Sequence, residues 1–127
     1  MKFLIAAIIA LAGIIHLLPV IGFAGVTQLK SLYGVDIADP NIEILMRHRA
    51  ILFGLLGTFL LYSILKPAVQ TIAIIGALVS TVTFLYLTWA TGTYNASIAK
   101  VFYIDIALAL GLVLALALRL APAHAKI

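Results

Sequence analysis

Polar residues are rare along this chain, and they interrupt it at intervals. Between them lie four long apolar blocks, at about residues 3–23, 43–65, 68–90 and 98–121; an amphipathic lead-in from Pro40 precedes the second. A helix needs about 20 mostly apolar residues to cross the hydrocarbon of a bilayer. Each block is close to that length, and none shows the period-two alternation of a strand. A backbone in lipid must also satisfy its own hydrogen bonds, which a helix does within one segment. The pattern predicts an all-α protein, an integral membrane four-helix antiparallel bundle, with one domain over residues 1–127.

The connections carry start and stop signals. Asp39 before Pro40 is an N-cap followed by proline at the first helical position. Glu43 stands four residues before Arg47, a favourable helical pair. Lys66-Pro67 closes the second block in a tight turn, so blocks two and three form a hairpin. "TGTYNAS", residues 91–97, makes the third connection, and residues 24–39 make the one long connection. Within the latter, "TQLKSLYGV" reads as a short helix lying on the membrane surface and ended by Gly34. Lys2 with Gly22-Phe23-Ala24 also fits a signal peptide and its cleavage site. The first block is longer than a usual signal core, which favours a retained span.

Composition agrees with the pattern. Of 127 residues, 65% are hydrophobic and 9% charged, against about 25% charged in a soluble domain. The absence of cysteine excludes disulfides, thiolate catalysis, Cys-ligated zinc and iron–sulfur clusters. The net charge of +4 is dispersed, with no basic tract to hold nucleic acid. Four spans put Lys2, Lys66, Arg119 and Lys126 on one side. Lys30, Arg47, Arg49 and Lys100 fall on the other, with Asp36, Asp39, Glu43 and Asp105. The basic residues tie. If Arg47 and Arg49 serve a site rather than topology, the positive-inside rule puts both termini in the cytoplasm.

The polar residues within the spans gather at one depth. At a rise of about 1.5 Å per residue, His16, Arg47, Thr83 and Asp105 each lie about 8–10 Å inside the outer end of their helix. The inner half holds only Ser63, Thr71 and Gln70. On the second helix Glu43, Arg47, Ala50, Gly54, Gly57 and Thr58 share a stripe, and small residues are where membrane helices meet. Arg47 is therefore expected to point inward and to partner Asp105, because a carboxylate within a span seeks a cation or a water-filled cavity. His16, Arg47, His48, Thr83, Tyr86 and Asp105 are the candidate ligand-binding residues. Arg49, on another side of the same turn, is expected to anchor at the lipid headgroups.

Each has a plainer reading. Arg47 can snorkel to the surface, and an Arg47–Asp105 pair can be purely structural. His16 can be a hydrogen-bonded core residue and His48 a solvated one. Ser80, Thr81, Thr83 and Thr88 can bond to their own helix. Tyr86, Trp89, Tyr94 and Tyr103 fit an aromatic belt. His124 follows Pro122 in a polar tail and is read as unimportant. Asn95-Ala96-Ser97 matches a glycosylation sequon, relevant only in a eukaryotic secretory pathway. No Walker loop, HExxH, GxSxG or paired-carboxylate pattern occurs. His16 and His48 could ligate a haem iron from both sides if they faced one another at one height. No glycine-broken helix of the transporter kind stands out.

"GIIHLLP" in the first span, "LYGVDIADPN" in the connection and "MRHRAILFGLLG" opening the second resemble a bacterial family of small uncharacterised membrane proteins. Nearly the whole chain takes part in this resemblance. Members often carry the label phosphopantetheine adenylyltransferase; this chain has neither the soluble nucleotide-binding domain nor the Gly-His phosphate motif of that enzyme class. More distantly it is similar to DoxX-like four-helix proteins. The resemblance implies a four-helix bundle in a bacterial inner membrane and brings no catalytic residues with it.

Three functional expectations follow from the residues. The first is a pocket toward the outer face that holds a lipid or quinone, its head on Arg47, His48 or His16, and Asp105. The second is a structural or accessory subunit that docks a larger membrane complex or forms a homo-oligomer, the polar layer serving to fix helix register. The third is a haem-binding redox protein using His16 and His48. Nothing in the sequence demands an enzyme.

Overall fold

The computed structural model describes residues 1–122; His124 and Lys126 lie outside the described residues. The chain forms α1 (Lys2–Leu17), a 3₁₀ segment (Leu18–Ala24), α2 (Val26–Tyr33), α3 (Pro40–Leu65), a short 3₁₀ turn (Pro67–Val69), α4 (Gln70–Thr91) and α5 (Ala96–Leu120), with no strand among the described residues. Four helical stretches are long and apolar enough to cross a membrane: Lys2–Ala24, Pro40–Leu65, Pro67–Thr91 and Ala96–Leu120.

Local chemistry sets the breaks. The first stretch changes from α to 3₁₀ at Leu18 because Pro19 has no N–H for the carbonyl of Ile15 and its ring crowds that turn. α2 stops at Gly34, whose φ of 65° is left-handed and whose N–H bonds to the Lys30 carbonyl at 2.8 Å. α3 starts where the Asp39 carboxylate accepts from the Asn41 N–H at 2.8 Å, with Pro40 in the first turn.

The core is a cluster of small and branched side chains: Ile5, Ile9 and Ala12 of α1, Leu60 of α3, Ala73, Ile74 and Ala77 of α4, and Leu108, Leu112 and Ala115 of α5. The α1–α3 seam is the closest. A Cβ on Gly57 would stand 2.8 Å from the Gly13 carbonyl oxygen and 3.1 Å from the Leu17 nitrogen. Up α1 and into the 3₁₀ segment the partners are Gly13, Leu17 and Val20; along α3 they descend as Leu61, Gly57 and Gly54, so α1 and α3 run in opposite directions.

α5 is tied at both ends. The Arg119 guanidinium donates to the Pro67 carbonyl at the α3–α4 turn. At the other end Asn95 donates to the Tyr33 carbonyl at 2.7 Å while its own side-chain oxygen caps α5 by accepting from the Ile98 N–H at 2.8 Å. The sequon asparagine is thus an N-cap and a tether.

The glycine seam is testable. Gly57→Ala forces its methyl onto backbone that cannot rotate away and should destabilise by about 1–3 kcal/mol. Gly111→Ala, whose methyl would meet only Ile8 Cγ2 at 3.6 Å, should be neutral or stabilising by up to about 1 kcal/mol from lower backbone entropy. Thermal unfolding midpoints in detergent measure both; an equal effect would remove the seam from the account of stability.

Candidate functional site: a roofed cavity at the α2 end

Beyond the core, toward α2, the helices spread. α1 and α5 are in ordinary contact at Ile8 and Gly111, but nearer α2 a cavity of about 380 Å³ separates them. Ile15 and His16 come from α1, Leu18 and Pro19 from the 3₁₀ segment, and Arg49 and Phe53 from α3. α4 gives Ser80 and Phe84; α5 gives Lys100, Val101, Ile104 and Asp105. Ser31, Leu32 and Tyr33 of α2 form the roof. Among these, Leu18, Ser31, Lys100 and Ile104 are exposed and form the rim. A larger hollow of about 550 Å³ runs along Val20, Gly54 and Thr58, but it is an open apolar groove with no charged side chain in its lining. The chemistry is in the smaller, more enclosed space.

Arg49 is held by aromatic faces. Its Cζ lies 4.6 Å from the Phe53 ring centre and 5.3 Å from that of Tyr33. Such contacts fix a guanidinium through the ring quadrupoles while consuming none of its N–H donors. Among the described residues no hydrogen bond or ion pair takes those donors. Asp105 lines the same cavity, yet the described ion pairs are Lys30–Asp36 and Arg47–Glu43. The two opposite charges share a space without touching.

His16 is 4% exposed and its Nδ1 lies 2.8 Å from the Ala12 carbonyl oxygen. A carbonyl only accepts, so Nδ1 carries the hydrogen and Nε2 of the neutral ring is an acceptor. The imidazole packs against Phe53, ring centres 5.9 Å apart.

The remaining predicted residues fall elsewhere. Arg47 donates from Nε to the Phe23 carbonyl at 2.8 Å, lies 5.2 Å from the Phe23 ring centre, and pairs with Glu43 at 3.4 Å. The small-residue stripe does carry Arg47 toward a neighbour, but the neighbour is the 3₁₀ segment. Arg49, with Phe53 one turn on, faces the cavity that Asp105 lines, and Arg47 does not. His48 is exposed and outside the cavity lining, and does not face His16 there. The Thr83 hydroxyl donates to the Val79 and Ser80 carbonyls of its own helix, and Tyr86 is 61% exposed beside Trp89. α4 turns Ser80 and Phe84 inward instead, three residues before and one after Thr83. Among the described residues no group of three His, Asp or Glu side chains gathers as metal ligands.

Tyr33, Phe53, Phe84 and Lys100 enter the site without having been singled out for it. The spacing of Arg49 and Phe53, four apart on one helical face, is a signal that was present. The contribution of α2 had no local signal. No family model, curated protein or solved structure matches the chain.

The roof depends on Asn95. Asn95→Ala removes both the cap and the tether and should cost about 1–2 kcal/mol. Asn95→Asp keeps an acceptor for the Ile98 N–H but loses the bond to Tyr33. Both variants should speed amide exchange across Val26–Tyr33, with only the first markedly lowering the unfolding midpoint. Unchanged exchange in both would show that the roof is held by other contacts.

Proposed function

We propose that this chain is a multi-pass protein of a bacterial inner membrane, an antiparallel four-helix bundle with cytoplasmic termini, and that it holds an amphipathic ligand, a lipid or a quinone, in the cavity beneath α2. The membrane setting is supported by the four apolar stretches and by the large apolar side chains left outward, such as Phe3 at 92% and Trp89 at 74% exposure. The orientation is supported by charge. With Arg47 engaged by Phe23 and Glu43 and Arg49 turned into the cavity, Lys30 and Lys100 remain on one side against Lys2, Lys66, Arg119 and Lys126 on the other.

Arg49 carries the reading. A guanidinium at membrane depth is costly unless paired, hydrogen-bonded or hydrated; here aromatic faces position it, and among the described residues its donors have no protein acceptor. A ligand carbonyl or phosphate would fill that place in the bidentate manner a guanidinium favours. Ile15, Phe84 and Val101 offer apolar walls, and the exposed rim at Leu18 and Ile104 gives a tail a way out into lipid.

Ligand co-purifying with the protein, extracted and weighed by mass spectrometry, tests this. Arg49→Ala should retain at least tenfold less, the scale of a hydrogen bond to a charged group; Arg49→Lys should fall between, and Arg47→Ala should retain wild-type amounts. Full retention by Arg49→Ala would sink the proposal.

A second reading is a structural subunit docked to a larger complex or to another copy. The open groove along Val20, Gly54 and Thr58 favours it, since small residues let a further helix approach. Native mass spectrometry of the detergent-extracted protein separates the two: a constant heavier partner belongs to this reading alone.

A further inference from the structure

The donors and acceptors of the cavity are sorted by depth. Arg49 and Lys100 only donate. His16 Nε2 only accepts, because the Ala12 carbonyl fixes the hydrogen on Nδ1, and an ionised Asp105 also only accepts. Phe53 neighbours both kinds: its ring centre is 4.6 Å from Arg49 Cζ and 5.9 Å from the His16 ring centre. Arg49 Cζ and the His16 ring centre are therefore no further apart than those two lengths combined. Phe53 lies one turn beyond Arg49 along α3, and Asp105 lies five residues, about 7–8 Å of rise, beyond Lys100 along α5. The donors are thus nearer the roof and the acceptors deeper. Two cations against one carboxylate leave one positive charge in surplus.

We infer that the occupant is a monoanionic phosphodiester lipid whose head also bears a hydroxyl group. This rests on the ligand-binding reading above and narrows it. The phosphate sits between Arg49 and Lys100, the hydroxyl donates to His16 Nε2, and the acyl chains leave past Leu18 and Ile104. A zwitterionic lipid matches the acceptors with its ammonium but leaves the surplus charge unmet. A phosphodiester without a hydroxyl meets the charge and offers the deep acceptors no donor.

The test offers the full-length protein in detergent an equimolar mixture of phosphatidylglycerol, phosphatidylmethanol and phosphatidylethanolamine with identical chains, and counts bound lipid by native mass spectrometry. Phosphatidylmethanol has the same charge and no hydroxyl. Wild type should retain phosphatidylglycerol about fivefold over phosphatidylmethanol, the scale of one hydrogen bond, and both over phosphatidylethanolamine. His16→Phe should abolish the first preference and keep the second; His16→Gln, whose amide oxygen accepts, should restore part of the first. Equal retention of the two anionic lipids by wild type overturns the inference, as does phosphatidylethanolamine retained as well as phosphatidylglycerol. So does a first preference that persists in His16→Phe. Displacement of bound lipid by an equal concentration of water-soluble glycerophosphoglycerol would assign the site to a free phosphodiester and overturn the lipid. A protein that co-purifies with a quinone and takes none of the three lipids refutes this inference alone; one that retains no amphiphile of any kind refutes the ligand-binding reading itself.

Discussion

The arrangement depends on the contact between two glycines. Gly13 and Gly57 let the backbones of α1 and α3 approach until a single added methyl would collide with a carbonyl oxygen. Where helices approach that closely, dispersion contacts along both backbones are gained together and the relative rotation of the pair is fixed. His16 lies about one turn from Gly13, and Phe53 about one turn from Gly57 in the opposing direction. Locking the glycines brings those two rings together at 5.9 Å. The imidazole, the ring beneath Arg49 and the guanidinium itself are placed by a contact that contains no functional group.

Room for the site comes from a second device. Pro19 ends the regular winding of the first stretch, and the tighter 3₁₀ segment that follows carries the chain to Gly25, where α2 begins. α2 then lies over the gap, with Leu29 and Tyr33 buried beneath it. Tyr33 serves twice, since its ring meets Arg49 and its carbonyl receives Asn95. The roof is thus joined to α3 and to the start of α5 through that one residue.

Much of this was legible in the order of residues. The four apolar stretches, the Asp39-Pro40 start, the Gly34 stop and the Glu43–Arg47 pair all stand within a few positions of where local rules put them. These features depend on neighbours in sequence. His16 and Asp105, singled out as polar groups within apolar helices, do line one cavity. What failed was azimuth. Arg47 and Arg49 are separated by about 200° around α3, and the small-residue stripe says only that Arg47 meets something. That the something is the Phe23 carbonyl depends on the path of the chain after Pro19, a tertiary fact. Thr83 failed likewise: Ser80 and Phe84 frame it on the helix, and only the positions of the other helices decide which of them turns inward.

The ties at the two ends of α5 give the cavity unequal sides. Asn95 and Arg119 clamp the helix that carries Lys100 and Asp105 to the rest of the chain at both extremities, so this wall behaves as a fixed post. The facing wall, with Leu18 and Pro19, belongs to the seven-residue 3₁₀ segment, and Arg47 grips that segment through one carbonyl. The two walls are therefore held differently, one by ties at both ends of its helix and the other by a single side chain that stands outside the cavity.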